Sequence, residues 1–234
     1  YAELIKLIGL CADRPRPRSS PIPLAIITFN YDMGLDYALY KSGVPLSYGL
    51  DNAPGTPLLK LHGSLNWARC EVCGPTPWVL SDFFTDFDWR PRSQSLGSAT
   101  LTIGSRLGDF QHHGKPVAPE PVIVPPTWNK LQYHQALSPV WRRAAKELSE
   151  ARNIFVIGYS LPPTDSFFRD FYGLGSVGSE ILERFWVFNP LASSEGVDER
   201  FRQLLGPGVV TSYKYFQTDF ATATPIIGDA LFGR

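Results

Sequence analysis

NIFVIGYS, residues 153–160, is the stretch on which the fold turns. Ile154, Phe155, Val156 and Ile157 follow one another without a polar break, and Gly158 ends the run. A sheet with one wet face alternates apolar and polar side chains along each strand. A continuous apolar run bounded by a turn residue fits a strand covered on both faces, as in a parallel sheet between helices. Working outward, LAIITF (24–29), LLKL (58–61), VIV (122–124), RFWVFN (184–189) and VVTSYKYF (209–216) read as further strands.

Helical patterns alternate with these runs. AELIKLIGL (2–10) places Leu4, Ile5, Leu7 and Ile8 at helical spacing. Ser138-Pro139 reads as an N-cap and a first-turn proline for a helix through WRRAAKELSEA (141–151). Further helices are expected from Thr164 or Asp165 through SFFRDFY (166–172), over VDERFRQLL (197–205), and near the C-terminus. The alternation predicts an α/β fold, doubly wound, with a mostly parallel sheet flanked by helices. Residues 67–120 break the rhythm. They are rich in Gly, Pro, Ser, Trp and Asp, and are expected to form an inserted small lobe or a long lid region between two strands of the main sheet.

Composition narrows the function classes. The chain has 234 residues, of which 44% are hydrophobic, enough for a sizeable core. Basic and acidic residues balance at 22 each, so no overall basic footprint for direct nucleic-acid binding exists. The local basic run RPRPR (14–18) is broken by prolines and reads as an extended loop. No run approaches the roughly 20 apolar residues of a membrane span, and no secretory signal pattern opens the chain. Three cysteines fit a reducing compartment, and a cytoplasmic location is expected. The chain starts without methionine, already inside a helical pattern, so a fragment of a longer protein is expected.

In open α/β sheets ligands bind at the carboxyl ends of the strands. Those ends carry Asn30 and Asp32 after LAIITF, His62-Gly63-Ser64 after LLKL, Gly158-Tyr159-Ser160 after NIFVI, and Asn189 after RFWVF. Taken alone, each has a plainer reading. His62 suits a satisfied half-buried imidazole, Asp32 suits a helix N-cap, and Asn or Gly suits a turn. Gly158-Tyr159-Ser160 lacks the second glycine of a nucleophile elbow, which argues against a serine nucleophile. Taken together, they describe polar groups that converge on a crevice.

TFNYD (28–32), KLHGS (60–64), PPTWNK (125–130), IGYSLPPTD (157–165) and FNP (188–190) occur in this order. Together they resemble the SIR2-like (sirtuin-like) domains of bacterial defence proteins that hydrolyse NAD. The resemblance implies a Rossmann-like domain over residues 1–234 that takes NAD as its substrate. It makes His62 the catalytic histidine and places Asn30 by the nicotinamide ribose, as a second catalytic residue. Thr28 and Asp32 would shape the nicotinamide end, Gly158 and Ser160 would lie by the phosphates and adenosine ribose, and Asn189 would contact ribose. Asp165 recurs in the subgroup, with no role assigned. The activity implied is cleavage of NAD to nicotinamide and ADP-ribose, in an effector of anti-phage defence. Its trigger would be a sensor domain or partner protein, and homo-oligomers are common among such proteins. An NAD-dependent protein deacylase and a non-catalytic NAD- or ADP-ribose-binding module are the alternatives.

Three departures accompany the resemblance. The family's N-terminal glycine-rich loop is missing near residue 1, so an N-terminally truncated domain is expected. Phe29 stands where sirtuins carry glutamine. Deacetylating sirtuins have a four-cysteine zinc ribbon, whereas here one pair stands alone, Cys70-x-x-Cys73. That pair is half of a zinc site. His112 and His113 lie in the same lobe and could complete it. With no full ligand set evident, the expectation is no metal, and either a degraded knuckle or two plain lobe cysteines.

Overall fold

The computed structural model of the protein describes residues 1–12, 23–51, 53–86, 107, 110–124, 131–163, 172, 182–191, 195–205 and 209–233. PPTWNK, Asp165 and the helix expected over 164–172, Tyr172 apart, lie outside the described residues, as does RPRPR. Two compact units divide the chain: residues 24–143 form one, and residues 1–23 with 144–234 form the other.

In chain order the elements are α1 (Ala2–Ala12), β1 (Ile26–Thr28), α2 (Gly34–Lys41), β2 (Leu46–Ser47), β3 (Thr56–Lys60), β4 (Trp67–Cys70), β5 (Gly74–Pro77), α3 (Leu80–Asp86), β6 (Gln111–His112), β7 (Lys115–Pro116), α4 (Leu131–Ser149), β8 (Asn153–Ile157), β9 (Arg184–Phe188), α5 (Val197–Leu204), β10 (Tyr213–Phe216) and α6 (Phe220–Phe232). The protein is of mixed α/β class.

In the unit of residues 24–143, β3 is the middle strand of a parallel sheet ordered β1-β3-β2. Leu58 and Leu59 are fully buried on its two faces, which explains the unbroken apolar run. Beyond the sheet, β4 and β5 form one antiparallel hairpin, and β6 and β7 form a second. An isolated bridge joins Arg69 of β4 to Ala118, two residues beyond β7. The core shared by the hairpins contains Met33, Ala68, Cys70, Trp78, Phe83, Phe84, Leu107 and Val117. Trp78 stacks on Phe110 with ring centroids 5.5 Å apart.

In the other unit, β9 lies between β8 and β10, all parallel. Phe185, Val187 and Phe188 of β9 are buried, whereas every residue of β8 is half-buried. The strand with the strongest apolar run thus lies at one end of this sheet, and the aromatic RFWVF supplies its centre. Phe188 stacks on Phe216 at 4.7 Å. On this sheet a core of Leu7, Phe188, Ala223 and Ile227 joins α1 and α6.

Three boundaries differ from the sequence reading. VIV (122–124) makes one bridge, Ile123 to Gly63, and no strand. Residues 210–212 form a short 3₁₀ turn before β10. Helix α4 starts at Leu131 and runs through Pro139. Leu137 and Val140 are completely buried on α4, and that burial offsets the backbone hydrogen bond that proline removes.

Candidate functional site

β1 and β3 pair in parallel with Thr28 opposite Lys60, so their carboxyl ends lie side by side. The loops that leave them carry Asn30 and Asp32 on one strand and His62 on the other. Local hydrogen bonds set each loop. The Asn30 N–H donates to Thr28 Oγ1 at 3.0 Å, and the Gly34 N–H donates to Asp32 Oδ1 at 2.8 Å. Asp32 therefore caps the start of α2 from just outside it, since Met33 occupies the N-cap position. Asn30, Tyr31 and Asp32 are exposed.

The His62 loop is clamped from two sides. The Leu61 N–H donates to Thr28 O at 2.9 Å, the Val124 N–H to His62 O at 2.9 Å, and the Ser64 N–H to Val122 O at 3.0 Å. Gly63 has φ of +82°, and a Cβ there would fall 1.9 Å from Val122 O. Only glycine fits, which answers why Gly follows His62. The half-buried His62 ring packs on Phe29 with centroids 5.2 Å apart. Phe29 packs in turn on Trp141, whose indole N–H donates to Leu61 O at 3.1 Å. Phe29 thus supplies a wall for the imidazole.

Beneath this edge lies a buried polar network that the sequence reading missed. Lys60 and Asp36 are each about 1% exposed at the side chain, and they pair at 2.8 Å. Lys60 Nζ also donates to the backbone carbonyl of Asp32. Tyr48 donates to Asp36 Oδ1 at 2.6 Å, and the Asn66 amide donates to Tyr48 and to Trp78 O. Burial pushes the Lys60 pKa down, and the neighbouring Asp36 carboxylate pulls it back up. Burial also raises the Tyr48 pKa, reinforced by Asp36. Removing one partner of such a pair strands a buried charge and costs about 3–5 kcal/mol. The signal was a lysine inside LLKL, which should have prompted a search for its acid. Asp36, on the adjacent α2, is that acid.

In the other unit, β8 and β9 end side by side, with Ile157 opposite Phe188. Gly158 has φ of +75°. Arg200 on α5 donates from Nε and Nη2 to Ser160 O at 3.1 and 3.0 Å. Asn189 is 2% exposed. Its Nδ2 donates to Tyr159 O at 3.3 Å, and its Oδ1 accepts from the Leu191 N–H at 3.0 Å. Both amide atoms of Asn189 therefore hold its own loop and the Gly158–Ser160 loop. Arg200 is a second residue that the sequence reading did not single out. The structure thus groups Thr28, Asn30, Asp32 and His62 in one unit, and Gly158, Ser160 and Asn189 in the other.

Cys70 and Cys73, by the β4–β5 hairpin, have close neighbours. Cys70, Cys73, His112 and His113 bring one ligand atom each within 4.8 Å of one another. Cys73 Sγ and His112 Nδ1 are 3.4 Å apart. A hydrogen bond with His112, helped by backbone N–H groups of Cys73 and Val72, holds the Cys70 thiol pKa down to about 7. Cys11, the third cysteine, is buried in the other unit, where burial raises its pKa.

Compared with known proteins, the chain matches no family model and no curated protein sequence.

Proposed function

We propose that the protein is an NAD hydrolase that cleaves the nicotinamide–ribose bond. The observation that carries this reading is the parallel pairing of β1 and β3, which sets Asn30 and half-buried His62 on neighbouring strand-end loops. In this reading the fold is Rossmann-like, with NAD bound by residues that end its parallel strands. Breaking the C1′–N bond leaves positive charge on the ribose and releases nicotinamide as a neutral ring with the bonding pair. Asn30 orients a water toward C1′. Neutral His62 accepts the proton as the new C1′–O bond forms, giving ADP-ribose. The Phe29 and Trp141 wall fixes the ring and shields one side of it from water. Lys60 positions the Asp32 carbonyl and thus the Asn30–Asp32 loop. The wider setting of this reading is a cytoplasmic defence effector, triggered by a sensor domain or partner protein, in a homo-oligomer.

The alternative is a module that binds NAD or ADP-ribose without turnover. The Asn189 amide, engaged by its own loop and by Tyr159 O, leaves the same capacity for a ribose in either reading.

Nicotinamide release from NAD decides between them. His62→Gln, with unfolding monitored as a control, should lower kcat/KM about 10²- to 10⁴-fold, the usual worth of a general base. Calorimetric binding of ADP-ribose, with no release by the folded wild type, would replace the hydrolase with the binding module.

A further inference from the structure

The β6–β7 hairpin takes its apolar anchorage from its base, where Phe110 and Val117 join the core, and not from its strands. Its strands are two residues each, and none of Gln111, His112, Lys115 and Pro116 is buried. An isolated two-stranded hairpin is marginal in water. Its tip is His113-Gly114, with φ of 54° and 72°. Positive φ at both central residues suits a tight two-residue turn, but Asn-Gly or Gly-Gly is the usual choice. Histidine accepts that conformation here at a cost, and the result brings its ring beside His112, with centroids 4.2 Å apart.

Opposite lies the other hairpin. Cys70 closes β4, and Cys73 directly precedes Gly74, whose φ is 82°. The two sulphurs are already in polar company. The Val72 N–H donates to Cys70 Sγ at 3.4 Å, and Thr76 Oγ1 lies 3.2 Å from Cys73 Sγ. All four ligand atoms fall within 4.8 Å of one another. Zinc–sulphur and zinc–nitrogen bonds of about 2.3 and 2.0 Å give a tetrahedral S···N edge of about 3.5 Å. The Cys73–His112 separation of 3.4 Å is already that edge.

We propose that Cys70, Cys73, His112 and His113 form a structural zinc site that ties the β4–β5 hairpin to the β6–β7 hairpin. Two thiolates and two neutral imidazoles balance the charge of Zn²⁺, and a mixed sulphur–nitrogen tetrahedron selects it over harder cations. Four protein ligands leave no position for water, so the ion braces the lobe and takes no part in a reaction. The site is independent of the chemistry assigned to His62. Cys70 belongs to the lobe core, so the ion anchors the exposed second hairpin to buried structure.

The test is metal content and cobalt substitution. The purified protein should hold one zinc per chain by elemental analysis. After chelation, one equivalent of Co²⁺ should bind with a sulphur-to-cobalt charge-transfer band and the d–d spectrum of tetrahedral cobalt. Cys73→Ser and His113→Ala should each weaken Co²⁺ binding by more than the about 10- to 100-fold typical of outer-shell partners. Both residues are exposed, and His113→Ala at the hairpin tip stands in should Cys73→Ser fail to fold. A folded wild type that binds neither metal, an octahedral cobalt spectrum without the sulphur band, or undiminished binding by either variant would overturn the site.

Discussion

Gly63 meets two demands at once. Its φ lies in the left-handed region, and its missing side chain lets Val122 O approach the backbone. Gly158 meets only the first, with φ of +75° and, among the described residues, nothing within 4 Å of where a Cβ would stand. The two therefore separate strain from collision. Gly63→Ala should cost about 3 kcal/mol or more, because the 122–124 segment must move and the His62 loop with it. Gly158→Ala should cost only about 1–2 kcal/mol, the penalty of the conformation alone. Denaturant midpoints of the two variants measure this directly. Equal losses would mean that the 122–124 segment yields freely. The glycine after His62 was legible in the sequence as a turn. Its collision partner was not, because that partner is a backbone carbonyl far along the chain. Lys60 was hidden for a related reason. A lysine in an apolar strand reads as solvent-facing until Asp36, on the preceding helix α2, is seen to receive it.

Elements with one repeating pattern were easier to read than elements held by distant partners. The parallel strands β1, β3, β8 and β9 followed from apolar runs and β10 from VVTSYKYF, whereas the two-residue parallel strand β2 did not, and α1, α5 and α6 followed from helical spacing or position. The start of α4 did not follow. Ser138-Pro139 has the chemistry of a helix start, yet the burial of Leu137 and Val140 carries the helix across it. The lobe hairpins were invisible because their strands are short and their apolar contacts, such as Trp78 on Phe110, are remote in sequence. Helix interiors offer their own test. Gly9 in α1 and Gly228 in α6 lie outside the left-handed region, and a Cβ at Gly228 would meet Leu7 Cδ1 at an ordinary 3.8 Å. Gly228→Ala should therefore raise stability by about 0.5–1 kcal/mol, by restricting the unfolded chain and adding contact. Thermal unfolding reads it, and a lower midpoint would mean that α1 and α6 pack more closely than this spacing.

The two ends of the chain meet. Tyr1 packs edge-on against Phe220 at 5.7 Å, and Leu7 shares a core with Phe188 and Ile227. This pairing joins residues separated by nearly the whole sequence, so no local pattern announces it. Contacts of such separation form late, since the closing entropy precedes the reward. The unit of residues 1–23 and 144–234 therefore depends on α1 to complete the cover of its sheet. Leu7→Ala deletes apolar volume from that cover without touching a hydrogen bond. It should cost about 2–3 kcal/mol, toward the low end for leucine because Leu7 keeps 9% of its surface in solvent. Hydrogen exchange locates the loss. Amides of α6 and of β8, β9 and β10 should lose protection together, because Phe188 and Ile227 pack on the deleted side chain. Unchanged protection in β9 would mean that the sheet holds without α1, and that the helix is an appendage to the core.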